Sequence, residues 1–518
     1  MGFITAVLVL MFGMQNQVFA FLSPAYIQGC KAGGVFVLYA LLVFGVVRGR
    51  RVEVTDVATG TEGEFLVAYA SQSGTAEELA RRTAKALSAG GRIAHLVNFS
   101  NLDLTRLTGS ETALFVVSTT GEGGAPDTAV HFETHITNGA PHLARLKYGV
   151  LALGDRNYPE FCAFGRALDN WLKAGEAQPL FDRVDVDQAN EVAISLWFEH
   201  VASLGAVKVG LPSDKFQSWY LDNRVLLNPG SENPAVYHVG LMPTGKTPDW
   251  RAGDIAVVRP RNAPSLVQSC LAATRFSGNE RVSYRNLDLS LAAALSNLAL
   301  GHLPLTHASP QALIDSLPPL PLREYSLASL PSDRRLELVV RQMRGVGGQL
   351  GMGSGWLTEF APVGEAVEIR LRANASFHGP DDDRPMILVG AGSGIAGLRA
   401  HLKEREQKGH NRNWLIFGER NKRVDYLFEQ ELEAWRTRDV LKRLDLCFME
   451  NGVQRMVQEV FYDKQTEVAE WLEAGAAIYV SGSRARIGVG VDKALKDLVG
   501  ERHMQAMVER GLYKKDVY

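Results

Sequence analysis

The sequence predicts an α/β protein of several domains with a membrane anchor at its N-terminus, and three observations support this fold class. Its 518 residues are too many for one hydrophobic core, so roughly two to four domains are expected. Two short apolar runs, residues 65–69 and 385–389, each lead through a glycine-containing loop into a helical segment. Long uncharged runs occupy the first 47 residues.

The composition excludes several classes of protein. With 46% hydrophobic and 22% charged residues the chain is an ordinary globular protein, and it has no repeats or low-complexity tract. Because Lys and Arg total 55 and Asp and Glu total 57, we expect no nucleic-acid partner. The 4 cysteines are far apart and match no metal spacing, so neither a metal site nor a disulfide framework is expected.

The N-terminal segment predicts a membrane anchor. The first 30 positions carry no charge, and residues 3–13 are strongly apolar. A second uncharged run, residues 32–47, ends in arginines at positions 48, 50 and 51. A transmembrane helix needs about 20 apolar residues, and Lys31 can snorkel to lengthen the second run. We therefore predict that residues 1–51 form one or two transmembrane helices; a buried core helix and a signal peptide are the alternatives.

The arginine cluster also predicts the location of the chain. Positively charged residues remain on the cytoplasmic side of a membrane, so everything after position 51 is expected in the cytoplasm. The predicted location is a cell membrane, such as the inner membrane of a bacterium.

The first soluble domain, roughly residues 63–205, begins with the pattern of a phosphate-binding site. A buried strand, 65–69, precedes a helix, 77–87, and the loop between them is rich in hydroxyl groups. Loop amides and hydroxyls converge at the helix N-terminus, where the dipole favours an anion. No lysine follows the glycine, so the loop is not of the ATP-binding type, and an ordinary N-capped helix is the alternative. The loop consists of Ser71, Gln72, Ser73, Gly74, Thr75 and Ala76.

Two further strands end in similar loops. Residues 113–118 and 148–153 are apolar runs, and each is followed by a polar segment that contains glycine. The carboxyl ends of parallel strands form one crevice, where doubly wound folds bind their ligands. Gly121, Gly123 and Tyr158 supply the flat backbone and the aromatic ring that a planar ligand needs.

These segments resemble the FMN domain of the diflavin reductases, most closely that of the sulfite reductase flavoprotein. The motifs SQSGTAEELA, STTGEG, LGDRNYPEF and FDRVDVD occur in the family's order. The resemblance implies a flavodoxin-like domain in which the loop at 71–76 holds the FMN phosphate. The other residues that it implies for FMN are Thr119, Thr120, Gly121, Glu122, Gly123, Gly154, Asn157, Tyr158, Phe161 and Asp187. Some relatives carry an aromatic residue in place of Thr120, so one-sided stacking and looser FMN are expected.

Residues 215–380 resemble the FAD-binding antiparallel β-barrel of the same family, with a shortened connecting insert at 263–320. By that resemblance Arg323 pairs with the FAD pyrophosphate, Tyr325 lies on the flavin ring and Ser326 meets the reactive nitrogen of the ring. A plain barrel strand is the alternative. A second matching segment implies that the pyrophosphate meets a helix start formed by Gly351, Gly353 and Ser354.

Residues 381–518 resemble the nicotinamide-binding half of a ferredoxin-reductase-like module. A G-x-G-x-x-G motif alone is weak evidence, but here a strand precedes it and a helix and two more strands follow. The loop residues expected to hold the nucleotide are Gly390, Gly392, Ser393 and Gly394.

The family places a Ser, a Cys and an Asp around the path of the hydride. The matching positions are Ser326, Ser481 and Asp516, so Ser481 replaces the Cys and slower hydride transfer is expected. The resemblance also implies that the terminal aromatic, Tyr518, covers the FAD ring and moves aside for the nicotinamide. A disordered tail is the alternative for this residue.

The sharpest departure from the family concerns the 2′-phosphate of NADPH. Where relatives carry a Ser-Arg pair, this chain has Met449 and Glu450. A carboxylate suits ribose hydroxyls and repels a phosphate, which gives the hypothesis that the enzyme accepts NADH. Binding of the phosphate from another side, by Arg420, Lys422, Arg423 or Arg455, is the alternative.

The resemblance implies an NAD(P)H-dependent enzyme that passes electrons through FAD and then FMN to a one-electron acceptor, a haem or iron–sulfur protein. A reductase of small acceptors, such as ferric chelates or quinones, is the second hypothesis. A non-catalytic flavin-binding subunit is the third. An acidic docking face around the FMN would be supplied by Glu122, Asp127 and Asp155.

Overall fold

A computed structural model describes residues 64–517, except for 73, 121–122, 157–158, 188–189, 208–215, 302–307, 346, 451 and 484–486. Three large sheets follow one another along this part of the chain, and two further pairs of strands form separate hairpins. Residues Glu62–Tyr518 form a single unit by their contacts, so the predicted domain boundaries within it remain predictions.

The first sheet is parallel, and its order is that of a flavodoxin. Its strands pair in the order β2-β1-β3-β4-β5, and β6 also pairs with β4. The central strands are buried on both faces because helices cover both sides of the sheet. In chain order the strands are β1 (Glu64–Ala70), β2 (Ile93–Asn98), β3 (Thr112–Ser118), β4 (Lys147–Gly154), β5 (Gln178–Pro179) and β6 (Val184–Asp187).

The helices of this unit are α1 (Thr75–Ala89), α2 (Leu104–Thr108), α3 (Val130–Thr137), α4 (Ala163–Ala174) and α5 (Glu191–Ser203). Helix α1 is amphipathic: Ala76, Leu79, Ala80 and Leu87 are buried against the sheet. Its first turn is acidic, which suits the positive end of the helix dipole.

The second sheet is antiparallel. Its strands pair in the order β12-β9-β14-β7-β8-β13. They are β7 (Gln217–Leu226), β8 (Val236–Pro243), β9 (Ile255–Arg259), β12 (Arg323–Ser326), β13 (Leu336–Arg341) and β14 (Ala366–Arg372). Alternate residues, such as Val367 and Ile369, enter a core that contains Trp219 and Trp250. A short helix, α9 (Met352–Gly355), follows β13.

The segment between β9 and β12 has a small hydrophobic core of its own. That core contains Val267, Val282, Leu291 and Leu313. The elements are α6 (Pro264–Thr274), the hairpin of β10 (Arg281–Tyr284) and β11 (Leu287–Ser290), α7 (Leu291–Leu295) and α8 (Pro310–Ser316).

The third sheet is parallel, in the order β17-β16-β15-β20-β21. Its strands are β15 (Met386–Ala391), β16 (Asn413–Gly418), β17 (Leu441–Cys447), β20 (Ala477–Gly482) and β21 (Tyr513–Val517). A separate hairpin consists of β18 (Met449–Glu450) and β19 (Val453–Gln454). The helices are α10 (Ile395–Gln407), α11 (Lys422–Asp425), α12 (Glu429–Thr437), α13 (Glu459–Asp463), α14 (Gln465–Glu473), α15 (Val489–Val499) and α16 (Glu501–Glu509). The flavodoxin-like and nicotinamide-binding folds predicted from the sequence are both present.

The predicted fold class is wrong in two respects, and the first concerns the closed β-barrel. Strands β12 and β13 stand at the two ends of the pairing order and form no ladder with each other in the described residues. The sheet curls enough for one isolated bridge, between Leu327 and Leu338, to form beside them. One bridge does not close a sheet, so this domain is an open, curled antiparallel sheet.

The second correction concerns the transmembrane helix or hairpin. In the part of the chain that the structure describes, no helix combines the length and the apolar character needed to cross a membrane. Residues 1–51, which were predicted to form the anchor, lie outside the described residues. The described residues therefore contain no transmembrane helix, and the predicted membrane location is not retained.

A buried ion-pair cluster joins the second and third sheets. Glu337 on β13 is 2% exposed and contacts Arg399 of α10 at 2.5 Å and His238 of β8 at 3.3 Å. Arg399 also contacts Glu431 of α12. Burial alone would raise the pKa of Glu337, but the nearby His238 ring and the Arg399 charge outweigh it and hold the pKa well below its usual range. The second and third sheets are therefore joined by charged groups, and each buried charge is stabilised by its partner.

Replacing Glu337 with Gln should lower the free energy of unfolding by about 3 kcal/mol, because Arg399 loses a buried partner. A carboxyl with a lowered pKa stabilises the fold above its unfolded pKa of about 4.3, and that contribution disappears as the pH falls below this value. The difference between the variant and the natural protein, measured by urea unfolding, should therefore shrink below about pH 4.

The matched control is Glu501→Gln, since Glu501 is 82% exposed and pairs only at the surface with Lys496. A surface pair of this kind is worth less than about 1 kcal/mol. Equal effects of the two substitutions would contradict the role given to Glu337.

Candidate functional site

The loop between β1 and α1 is folded tightly around its own hydroxyl group. Ser71 Oγ accepts a hydrogen bond from the backbone N–H of Gly74 at 2.9 Å. Gly74 has a φ of 88°, in the left-handed region that favours glycine. This turn brings the loop to the N-terminus of α1, where an anion is stabilised. Ser73 lies outside the described residues.

The second loop, after β3, offers an unpaired hydroxyl. Among the described residues, the buried Oγ1 of Thr119 has no hydrogen-bond partner. Thr120 uses its own hydroxyl within the loop, donating to the carbonyl oxygens of Gly124 at 3.1 Å and Ala125 at 2.9 Å. A buried polar atom without a partner fits a polar ligand at this edge of the sheet. Gly121 and Glu122 lie outside the described residues.

The third loop, after β4, brings three predicted residues together. Gly154 is in register with Asp187 of β6. Asp187 accepts a hydrogen bond from the backbone N–H of Arg156 at 3.0 Å, and the Arg156 guanidinium lies 4.6 Å from the centre of the Phe161 ring. Asn157 and Tyr158, expected in the same loop, lie outside the described residues.

Gly123 allows the second loop to pack closely against the third. A Cβ atom at Gly123 would lie 2.8 Å from Glu160 Cβ and 3.2 Å from Ala163 Cβ. Only glycine allows so close an approach, and Gly123 also has a positive φ of 102°. The three loops therefore meet at the carboxyl edge of the first sheet, as an FMN site requires.

The residues predicted for FAD also lie together. A Cβ atom at Gly353 would lie 2.5 Å from Arg323 Cγ and 2.8 Å from Tyr325 Oη. Ser354 Oγ accepts a hydrogen bond from the backbone N–H of Met343 at 3.0 Å. Helix α9 thus begins directly against strand β12. An arginine and a glycine-rich helix start in contact are chemically suited to a pyrophosphate.

The glycine loop after β15 packs against β20 and receives an arginine from the second sheet. A Cβ atom at Gly390 would lie 3.3 Å from the carbonyl oxygen of Ser481. Arg341, at the end of β13, lies against Gly392 and forms an ion pair with Glu419. Sequence reasoning missed Arg341 and Glu419, because their contact joins positions 78 residues apart and no motif marks either one.

The three residues predicted for hydride transfer meet in one place. Ser326 Oγ donates a hydrogen bond to Asp516 Oδ2 at 2.6 Å. Ser481 and Asp516 are paired neighbours on the parallel strands β20 and β21. Ser481 is fully buried, and its Oγ has no hydrogen-bond partner among the described residues. Gly397 of α10 packs beside the buried carboxylate of Asp516, since a Cβ atom at Gly397 would lie 3.9 Å from Asp516 Oδ2. Tyr518 lies outside the described residues.

Burial raises the pKa of Asp516, while the Ser326 hydrogen bond and the charge of Arg372 act to lower it. The net effect raises the pKa of Asp516, so this carboxyl group holds a proton more readily than an exposed aspartate does.

The segment expected to select the nicotinamide nucleotide is only partly described. The backbone N–H of Met449 donates to the carbonyl oxygen of Arg420 at 2.8 Å, so these two positions are neighbours. Arg455 pairs with Asp463 at 2.8 Å. Met449 and Glu450 begin the β18–β19 hairpin, and the side chain of Glu450 is not described.

The fold and these sites define a flavin- and nicotinamide-dependent oxidoreductase. Residues 67–197 match the family described as Flavodoxin, and residues 388–487 match the Oxidoreductase NAD-binding domain.

The chain is a diflavin reductase, an NAD(P)H-dependent enzyme with FMN and FAD as cofactors. It is 29% identical to the sulfite reductase [NADPH] flavoprotein alpha-component of Vibrio cholerae, over 89% of each chain. It is 27% identical to the protein of the same name from Bacillus subtilis, over 89% of this chain and 90% of that one. The predicted family, enzyme class and cofactors are confirmed.

Gly353→Ala should weaken the binding of FAD and lower the FAD content of the purified protein. The added methyl group would displace Arg323 and Tyr325, and overpacking of this kind costs about 1–3 kcal/mol, roughly a tenfold loss of affinity or more. The FAD content per chain of the purified variant measures the effect. Gly245→Ala is the control, because a Cβ atom at Gly245 meets nothing within 4 Å. A Gly353→Ala protein with full FAD would contradict the assignment.

Asp516→Asn should slow the reduction of FAD by the nicotinamide nucleotide by about 10²-fold, since it removes the carboxylate that accepts the Ser326 proton. Stopped-flow absorbance of the flavin in a single turnover measures this rate. The control is Asp492→Asn, which removes a carboxylate that accepts the Tyr513 hydroxyl at 2.5 Å, away from Ser326. Equal rates in the two variants would exclude a role for Asp516.

Proposed function

We propose that this diflavin reductase takes electrons in pairs from NADPH or NADH and delivers them singly to a separate acceptor protein that carries haem or an iron–sulfur cluster. The observation that supports this proposal most directly is the Ser326–Asp516 hydrogen bond beside Ser481. It joins the FAD-binding strand β12 to the last strand of the nicotinamide-binding sheet. Such a site positions two ring systems against each other.

When bound, FAD supplies the chemistry of accepting a hydride, and FMN that of releasing single electrons. The protein binds the cofactors, orients them and shields them from water. Ser326 and Asp516 would hold a proton at the site of the flavin, and the fully buried Ser481 helps to exclude water from the site. Arg323 and the start of α9 would bind the pyrophosphate, and the loops after β1, β3 and β4 would hold FMN.

The relatives' name supports a protein acceptor. An alpha-component is one part of a larger enzyme, and the Vibrio and Bacillus proteins are each named as one. We propose that this chain also works with a second component. Direct reduction of small acceptors, such as ferric chelates or quinones, is the competing function.

The same name supports NADPH as the electron donor, whereas Met449 and Glu450 favour NADH. We propose that both nucleotides reduce the enzyme. The choice depends on whether Glu450 faces the 2′-position of the ribose, where a carboxylate repels a phosphate.

Purified protein reconstituted with both flavins should lose its flavin absorbance when either nucleotide is added without oxygen. Replacing Glu450 with Ser should raise the ratio of kcat/KM for NADPH to kcat/KM for NADH by about tenfold, since it removes one like charge beside the phosphate. Glu473→Ser, a substitution at the end of α14, is the control for altered surface charge.

Flavins that no nicotinamide nucleotide reduces would reject the proposal and favour a non-catalytic subunit. Reduction of ferric chelates that is faster than reduction of cytochrome c, even after removal of FMN, would favour the small-acceptor alternative. An unchanged nucleotide ratio in the Glu450 variant would exclude that residue as the selector.

A further inference from the structure

Strand β14 of the FAD-binding sheet carries two arginines on one face. Arg370 and Arg372 are two residues apart, so their side chains leave the same side of the strand. The intervening face, with Val367 and Ile369, points into the core of the sheet. The arginine face is therefore turned away from that core.

Arg370 meets the first turn of the FMN-loop helix. Its Nη1 lies 3.3 Å from Oε1 of Glu78, a residue of helix α1. The arginine is largely buried and the glutamate is one-third exposed. This ion pair places the start of α1 against strand β14.

Arg372 reaches the phosphate-binding loop itself. A Cβ atom on Gly74 would lie 3.0 Å from Arg372 Nη1 and 3.6 Å from Asn374 Oδ1. Glycine therefore leaves the space that the guanidinium needs to approach the loop. A guanidinium beside this loop adds positive charge where the FMN phosphate is expected.

The same guanidinium acts on the hydride-transfer site. Arg372 is only 3% exposed, and its Nη2 contacts Glu324 at 2.7 Å. Glu324 lies on β12, two residues before Ser326. Arg372 is thus packed between the loop of one flavin site and the strand of the other.

Charged groups on two strands of the second sheet act on Asp516. Arg372, from β14, lowers its pKa, and Glu324, from β12, raises it. Its neighbours Ser326 and Ser481 contribute neutral hydroxyl groups, and Gly397 of α10 contributes no side chain. The positive charge that acts on Asp516 from β14 therefore belongs to the residue that touches the FMN loop.

We propose that Arg372 is a positioning residue that couples the two flavin sites. One edge of its guanidinium holds the FMN phosphate loop, and the positive charge of the group acts on Asp516. The inference rests on the proposed function, because Asp516 is taken there as the proton-holding group near FAD. It adds that FMN binding in the loop and the reduction of FAD both depend on the side chain of Arg372.

The first test is the pH dependence of FAD reduction in single turnovers of the holoenzyme. Arg372→Met should move the pH at which the rate responds to Asp516 upward by about one unit, because an attractive positive charge is lost. Glu324→Gln should move the same transition downward, because a repelling negative charge is lost. A merely structural role would not produce opposite shifts.

Arg370→Met is the matched control. It removes an arginine from the same face of the same strand, but the guanidinium of Arg370 pairs with Glu78 of α1, whereas that of Arg372 pairs with Glu324 of β12. The pH transition should therefore stay in place, while the Glu78 contact is lost. Arg372→Lys keeps the charge and should keep the transition near its natural pH, which also provides a folded variant should Arg372→Met fail to fold.

The second test measures the binding of FMN and needs no turnover of the enzyme. Titration of FMN into FMN-depleted full-length protein, followed by the loss of FMN fluorescence, gives its dissociation constant. Arg372→Met should raise this constant about tenfold, as expected for the loss of one charge-assisted hydrogen bond. Replacing FMN with riboflavin, which lacks the phosphate, should remove the difference between the variant and the natural protein.

The outcomes separate the inference from the proposed function. Equal pH transitions in Arg372→Met, Arg370→Met and the natural protein would overturn the coupling, as would unchanged FMN binding, even though the enzyme still reduced its flavins. Absence of FAD reduction in the natural protein would instead overturn the proposed function, and the FMN titration would still test the contact between Arg372 and the loop.

Discussion

The hydrogen bond from Ser326 to Asp516 joins residues 190 positions apart, and the reaction centre depends on it. Ser326 ends β12 of the antiparallel sheet, and Asp516 lies in β21, the last strand of the parallel one. The contact forms only if β21 pairs with β20 in the register that places Asp516 beside Ser481. A shift of one residue along β21 would turn the carboxylate to the other face of the sheet and leave Ser326 without its acceptor.

Buried charge is a recurrent way of joining the parts of this chain. The pair of Arg399 and Glu337 is buried between the second and third sheets, and the buried guanidinium of Arg372 near the FMN loop pairs with Glu324, which is one-third exposed. A buried ion pair adds little net stability compared with apolar packing, but it is costly to break, because each partner is left uncompensated. Such contacts fix geometry more than they add stability. That property suits an enzyme whose cofactor sites must face one another.

Much of the fold could be predicted from local pattern. Apolar runs buried on both faces predict parallel strands, and the glycine loops that end them predict the ligand edge. The open form of the antiparallel sheet was not predictable in this way. Closure depends on whether β12 and β13 pair along their length, and alternation of apolar residues is the same in an open and a closed sheet.

The sequence by itself determined the residue types at each site: the hydroxyl-rich loop at 71–76, the Arg-x-Tyr-Ser strand at 323–326 and the glycine loop after β15. These are local, because a phosphate loop needs its glycine and hydroxyls within a few residues of a helix start. Only the tertiary structure decided that Arg341 lies on Gly392 and that Arg372 lies against Gly74. The sequence around an arginine on a β-strand is the same whether its side chain faces solvent or a loop some 300 residues away. Its partner depends on how the domains pack and not on the neighbouring residues in the chain.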